Sequence, residues 1–259
     1  MEMTDCTENK QLTHLSLFSG IGGLDLAAEW AGFKSIGQCE WAEYPTKVLE
    51  KHWPDVPRWR DIRSLTGASF YERTGRRTVD VISGGFPCQP FSVAGKREGK
   101  DDDRYLWPEM LRIIRELRPA WVVGENVSGL IRIALAEILS DLKETGYEAR
   151  AYSSEARNVG GLFRGERIAI VASSNDRGTA LRRNGELQTN GEVETGRNHN
   201  RGRTEKPRLW KRWEVESRPY GVADGVPDRV DRLRCTGNAV VPAQFYPVFQ
   251  AITDIELDR

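Results

Sequence analysis

Short apolar runs alternate with longer stretches of helical period over residues 12–172. Residues 14–18, 35–39, 79–82 and 121–123 predict four β-strands, and 147–152 and 167–172 two more. Between them, residues 24–31, 42–51, 106–117 and 133–143 space their apolar side chains as helices do, and a last helix is predicted over 242–255. Strand–helix alternation with near-continuous apolar strands predicts an α/β fold: a Rossmann-like, mostly parallel sheet with helices on both faces. The pattern stops after Ser173. From 174 to 208 only Ala180, Leu181, Leu187 and Val193 are apolar, four of 35 residues, too few for a core of their own. The expected organisation is therefore one domain built from residues 1–173 and 222–259, interrupted by a solvated insert at 174–221.

Composition narrows the picture. The 259 residues carry 38 Lys and Arg against 38 Asp and Glu, so any binding of nucleic acid must come from a local basic surface. Residues 173–213 offer one: ten Lys and Arg against five Asp and Glu, with Trp210 and Trp213 at its end. The alternative is a flexible solvated loop. Four scattered cysteines (Cys6, Cys39, Cys88, Cys235) without a CxxC pair read as a reduced, cytoplasmic chain. Three distant histidines give no ligand spacing, so no metal site is expected. No apolar run has the length to span a bilayer.

The unusual residues fall at strand ends. Phe18-Ser19-Gly20-Ile21-Gly22-Gly23 follows the first strand, Glu40-Trp41 the second, Gly84-Gly85-Phe86-Pro87-Cys88-Gln89-Pro90 the third and Glu125-Asn126-Val127 the fourth. Parallel sheets bind ligands at this carboxyl rim. A glycine-rich turn alone is as readily a geometric need of the chain. Joined to Glu40, which can accept from ribose hydroxyls, and Trp41, which can stack on a purine, it reads as an adenosine site. A lone cysteine is more often a small buried apolar residue. Cys88 stands between two prolines at a strand exit, which favours a nucleophile. Glu125 lies one crossover further on, which predicts an adjacent strand end. The plainer alternative, a helix cap plus a surface acid, does not explain why an acid directly ends an apolar core strand.

These segments, with Gly237-Asn238-Ala239-Val240-Val241-Pro242, resemble the DNA (cytosine-5) methyltransferase family in order and content over residues 12–172 and 225–258. The resemblance implies a methyltransferase domain that uses S-adenosylmethionine, held by Phe18, Gly20, Gly22, Glu40, Trp41, Asp61, Ile62, Leu106 and Asn238. It implies Cys88 as the nucleophile at cytosine C6, Glu125 as the partner of N3 and Arg167 at the O2 edge, on a base flipped out of double-stranded DNA. Gln89, Ser92, Arg164, Arg182, Arg183, Arg201, Arg203 and Lys206 become the expected DNA contacts, and 174–221 a short target-recognition insert. A monomeric bacterial or phage-encoded enzyme with a cognate restriction endonuclease completes the implied setting. The chain departs from the family in one place. Where the family has a glutamine and two arginines two apart, Phe163-Arg164-Gly165-Glu166-Arg167 keeps only the second arginine. Two rivals follow: methylation of RNA by a tRNA-type relative, and a catalytically weakened DNA-binding homologue. A nicotinamide-dependent oxidoreductase is more distant, because nothing in it accounts for the Pro-Cys-Gln-Pro loop.

Overall fold

The computed structural model describes residues 11–87, 105–161, 163–175, 230–231, 235 and 239–257. Among these, seven strands form one sheet: β1 (Thr13–Leu17), β2 (Lys34–Cys39), β3 (Arg58–Trp59), β4 (Val81–Gly84), β5 (Trp121–Val127), β6 (Tyr147–Ser154) and β7 (Arg167–Ser174). Their order is β3-β2-β1-β4-β5-β7-β6. The strands β3, β2, β1, β4 and β5 run parallel to one another, while β7 runs antiparallel to both β5 and β6. The helices that cover the sheet among the described residues are α1 (Gly23–Trp30), α2 (Glu43–His52), α3 (Gly67–Thr74), α4 (Trp107–Leu117), α5 (Leu135–Glu144) and, after the last strand, α6 (Pro242–Glu256).

Both faces of the sheet are covered, as the near-continuous burial of β1, β4 and β5 requires. On one face Phe70 of α3, Met110, Ile113 and Leu117 of α4, and Ile138 and Leu142 of α5 pack against Leu15, Leu17, Ile82 and Val122. On the other, Leu24, Ala27 and Ala28 of α1 and Phe245, Phe249 and Ile252 of α6 cover Val81, Val123 and Ala169. The mostly parallel α/β reading therefore holds, with corrections of detail. The β3–α3 region has no counterpart in the predicted elements. A two-residue strand shows no period, and α3 buries only Phe70, so its one legible signal is the Thr66/Ser69 capping box. The third predicted strand is displaced to Val81–Gly84. The fourth extends to Val127, so Glu125 and Asn126 belong to the strand rather than follow it, because antiparallel pairing with β7 prolongs it. The helix expected from Ile133 begins at Leu135, after a 3-10 turn over Ser128–Arg132.

Polar residues inside β1 are partnered within the core. His14 Nε2 lies 2.7 Å from Ser83 Oγ, and its ring meets Phe249 edge-on. Ser16 Oγ donates to Asp25 Oδ2 at 2.8 Å, and Gln38 Nε2 donates to Asp25 Oδ1 at 2.8 Å. Complete burial pushes His14 down from 6.5 to about 3, so the fold holds it neutral.

His14 thus contributes stability that is fully present above pH 6.5 and is lost as the pH falls toward about 3, because the unfolded chain takes up a proton that the folded chain refuses. The loss is at most about 1.4 kcal/mol per pH unit. Urea unfolding of wild type and His14→Gln at several pH values should give a stability gap that narrows on acidification. A gap that stays constant from pH 7.5 to pH 4 would mean that His14 is not held neutral.

Candidate active site

The strand order reverses direction between β1 and β4, which opens a crevice at their carboxyl ends. The turn after β1 enters it with three residues at positive φ: Phe18 (53°), Gly20 (55°) and Gly22 (89°). Gly22 has no room for a side chain beside Trp53 and Leu49, whereas a Cβ on Gly20 would project into open space. The turn is tied to β2 by Ser19 N–H donating to Cys39 O at 3.0 Å.

Glu40, at the end of β2, accepts from Gly20 N–H through Oε2 and from Ala42 N–H through Oε1, both at 2.8 Å. Its carboxylate therefore fixes the glycine turn and starts α2, and each oxygen keeps a further lone pair for a ligand. Trp41 beside it is 71% exposed, and its carbonyl accepts from Arg60 Nη2 at 2.9 Å. Asp61 caps the 3-10 turn Ile62–Ser64 through Arg63 N–H at 2.9 Å, and Ile62 is buried. Leu106, half-buried, precedes α4, and its N–H faces Pro87 O at 3.5 Å. Arg112, which the sequence did not single out, holds this wall: its guanidinium donates to Ile62 O (2.9 Å) and Leu65 O (3.0 Å) while pairing with Glu109 and Glu116.

Across the crevice, β4 and β5 lie side by side with Gly84 opposite Gly124. The next residues on each strand, Gly85 and Glu125, touch: a Cβ on Gly85 would stand 2.7 Å from Glu125 Oε2. Glu125 is 8% exposed. Arg167, the first residue of β7, forms an ion pair with Glu125, its Nε 2.9 Å from Oε1. Burial pushes the Glu125 carboxyl up from 4.5 to about 7, and the Arg167 charge opposes that shift. Asn126, also buried, donates Nδ2–H to Phe86 O at 2.9 Å and so fixes the segment that leads to Cys88. The sequence placed Asn126 in the acidic cluster but gave no sign of this contact, which depends on β4 and β5 being neighbours. Arg164 is exposed and turned to Glu155 (2.8 Å) and Glu166 (3.8 Å). Cys88, Gln89, Ser92, Arg182, Arg183, Arg201, Arg203, Lys206 and Asn238 lie outside the described residues.

The two ends of the chain meet at this rim. A Cβ on Gly23, at the start of α1, would stand 2.7 Å from Val240 O. Glycine there lets residues 239–241 lie on the helix start next to the glycine turn. Among the described residues there is no cluster of metal-ligating side chains, and no helix is long and apolar enough to cross a membrane.

The pattern of C-5 cytosine-specific DNA methylases matches residues 12–217. The chain is 36% identical over 176 residues to the Type II methyltransferase M.Eco47II of Escherichia coli, covering 65% of this chain and 41% of that protein. It is 33% identical over 178 residues to the Type II methyltransferase M.HhaI of Haemophilus parahaemolyticus, covering 65% and 52%. Against M.Eco47II, M.HgiCII and M.BsuFI the aligned region spans 37–41% of their length. Two solved structures share the fold. One is a DNA modification methyltransferase encoded within an E. coli prophage (TM-score 0.56, 24% identity, 66% of this chain and 48% of that one). The other is the S. pombe Dnmt2 methyltransferase (TM-score 0.54, 20% identity, 70% and 57%).

The contact at Gly23 gives a direct check. Gly23→Ala must displace the Val240 carbonyl and should lower stability by about 1–3 kcal/mol in urea unfolding. Gly67→Ala, in the first turn of α3 with its nearest neighbour at an ordinary 3.6 Å, should leave stability unchanged or higher. Equal effects at the two positions would mean that residues 239–241 do not rest on α1.

Proposed function

Since the chain belongs to the C-5 cytosine-specific DNA methylase family, we propose that it transfers a methyl group from S-adenosylmethionine to C5 of cytosine in DNA. The observation that supports this most is the buried Glu125 carboxyl, paired with Arg167 and lying against the backbone that leads to Cys88. The opposite wall suits the cofactor: open space at Gly20, spare lone pairs on Glu40 and an exposed Trp41 ring. Phe18, Gly22, Asp61, Ile62, Leu106 and Asn238 would complete its cradle. When bound, S-adenosylmethionine supplies an electrophilic methyl carbon.

The chain's own residues then solve a problem of reactivity, since cytosine C5 is a poor nucleophile. Addition of the Cys88 thiolate to C6 forms an S–C bond and moves the C5–C6 electron pair onto C5. Charge collects at N3, where Glu125 in its acid form holds a proton. Arg167 orients that carboxyl and faces the O2 edge. Once the methyl group is on C5, a base removes the C5 proton and Cys88 Sγ departs, which restores the ring double bond and the thiolate. C5 and C6 are stacked within duplex DNA, so the base must leave the helix to be reached. The basic insert at 174–221, with Arg182, Arg183, Arg201, Arg203 and Lys206, supplies phosphate contacts and target choice, and Gln89 and Ser92 meet the DNA beside Cys88.

Tritiated methyl transfer to DNA and to tRNA tests the reading, with transfer to DNA expected. Cys88→Ala should abolish transfer while leaving S-adenosylmethionine affinity close to wild type; substantial residual transfer removes Cys88 as nucleophile. Glu125→Gln should slow transfer by about 100-fold or more, since an amide cannot give N3 a proton. In wild type the acid form of Glu125 is lost as pH rises through about 7, so kcat/KM should fall on the alkaline side of that value. If Glu125→Gln changed only the cofactor KM, the separation of base site from cofactor site would be wrong.

A further inference from the structure

Gln244 stands in the first turn of α6, is 5% exposed, and donates from Nε2 to two backbone carbonyls, Ser154 O and Gly165 O, each at 2.9 Å. Two carbonyl partners fix which way the amide faces and use both of its N–H bonds. The carbonyls are not arbitrary ones. Ser154 ends β6 and lies opposite Arg167 in the β6–β7 register, and Gly165 is two residues before Arg167. The loop between them is closed at its neck by Ala156 N–H donating to Arg164 O at 2.8 Å. Gly165 is in the left-handed region (φ 44°), with the Phe163 ring filling the space a side chain would take. One amide thus clasps both ends of an irregular loop at the point where β7 begins.

The same helix turn reaches the other wall of the crevice. Gln244 N–H donates to Val241 O at 2.9 Å, and Val240, the preceding residue, rests its carbonyl on Gly23 at the start of α1. We propose that Gln244 is a positioning residue, which sets where Arg167 enters β7 and meets Glu125, and which links that pair to the seating of residues 239–241 beside the glycine turn. This builds on the methyl-transfer reading above. Arg167 forms an ion pair with Glu125, Nε to Oε1 at 2.9 Å, so a shift in the start of β7 lengthens and weakens it. Arg167 is the charge that bears on Glu125 among the described residues; Gly85 and Gly124 beside it carry none.

The test uses the full chain with Gln244→Leu, which removes both donors but keeps an apolar side chain of similar bulk, and Gln244→Glu, which keeps the shape. The first readout is the titration of Glu125 followed by the 13C shift of its carboxyl, which needs no turnover. In both variants Glu125 should titrate at a higher pH than in wild type, since Arg167 no longer lowers it. The second readout is methyl transfer. Here kcat should fall roughly 10- to 100-fold, with the alkaline limb of the profile moved to higher pH. Gln244→Glu should recover part of the rate in acid, where its protonated carboxyl donates one hydrogen bond again. An unchanged Glu125 titration in a folded variant overturns the proposal, whatever happens to the rate, because a residue that only stabilises the fold would leave it in place. If Gln244→Leu does not fold, the titration and acid rescue of Gln244→Glu decide alone. If wild type methylates neither DNA nor tRNA, the methyl-transfer reading falls, and the titration still decides for or against Gln244.

Discussion

The carboxyl of Glu125 is buried near the end of β5, and the antiparallel run of β7 is what sets a cation beside it. Taking a carboxylate out of water costs several kcal/mol unless it is paired or neutralised. Here both answers are in use: Arg167 stands 2.9 Å away, and the carboxyl is pushed up to about 7. Because β7 runs antiparallel to β5, its first residue lies opposite the last residue of β5, Val127. A parallel β7 would bring its first residue to the opposite rim. The departure from all-parallel order is therefore what brings the guanidinium to the carboxyl. The close approach of Gly85 then places that carboxyl against the loop that continues to Cys88.

The opposite wall of the crevice depends on a second buried acid. Asp25, fully enclosed in α1, is raised from 3.8 to about 6 by burial, with the donors Gln38 and Ser16 pulling the other way. Gln38 accepts in turn from Arg58 Nε at 2.9 Å, so α1, β1, β2 and β3 are joined beneath the glycine turn by one polar chain. Above it Glu40 holds the turn from its other side. Gly20 and Gly22 adopt the left-handed region at no steric cost, whereas Phe18 at φ 53° gains nothing from it on its own account and is held there by this framework.

The strand ends, the glycine turn, Glu40, Trp41 and Glu125 were legible because each breaks a local pattern: a glycine run or an acid directly after apolar residues. Asp61, Ile62, Leu106, Asn238 and Arg167 came instead from the family resemblance, as positions matching a known order of segments. The β3–α3 region escaped because its signal is a single buried phenylalanine and a cap. Glu40 shows the limit of reading a residue by its chemistry. Its carboxylate holds two backbone N–H groups as well as facing the crevice: that of Ala42 is a local partner, but that of Gly20 is within reach only once β1 and β2 are neighbours.

By itself, then, the sequence determined the alternation of strands and helices, the rim on which the polar clusters fall, and the family to which they point. These depend on period and on residue order, which are local. Tertiary structure decided the antiparallel turn of β7, the anchoring of Phe86 by Asn126, the meeting of Gly23 with Val240, and the clasp of Gln244 on Ser154 and Gly165. The antiparallel pairing of β7 with β5 and each of these contacts join residues from 40 to 217 positions apart. No pattern along the chain encodes them, because the hydrogen-bond partners and the space they fill arise only when the sheet has closed.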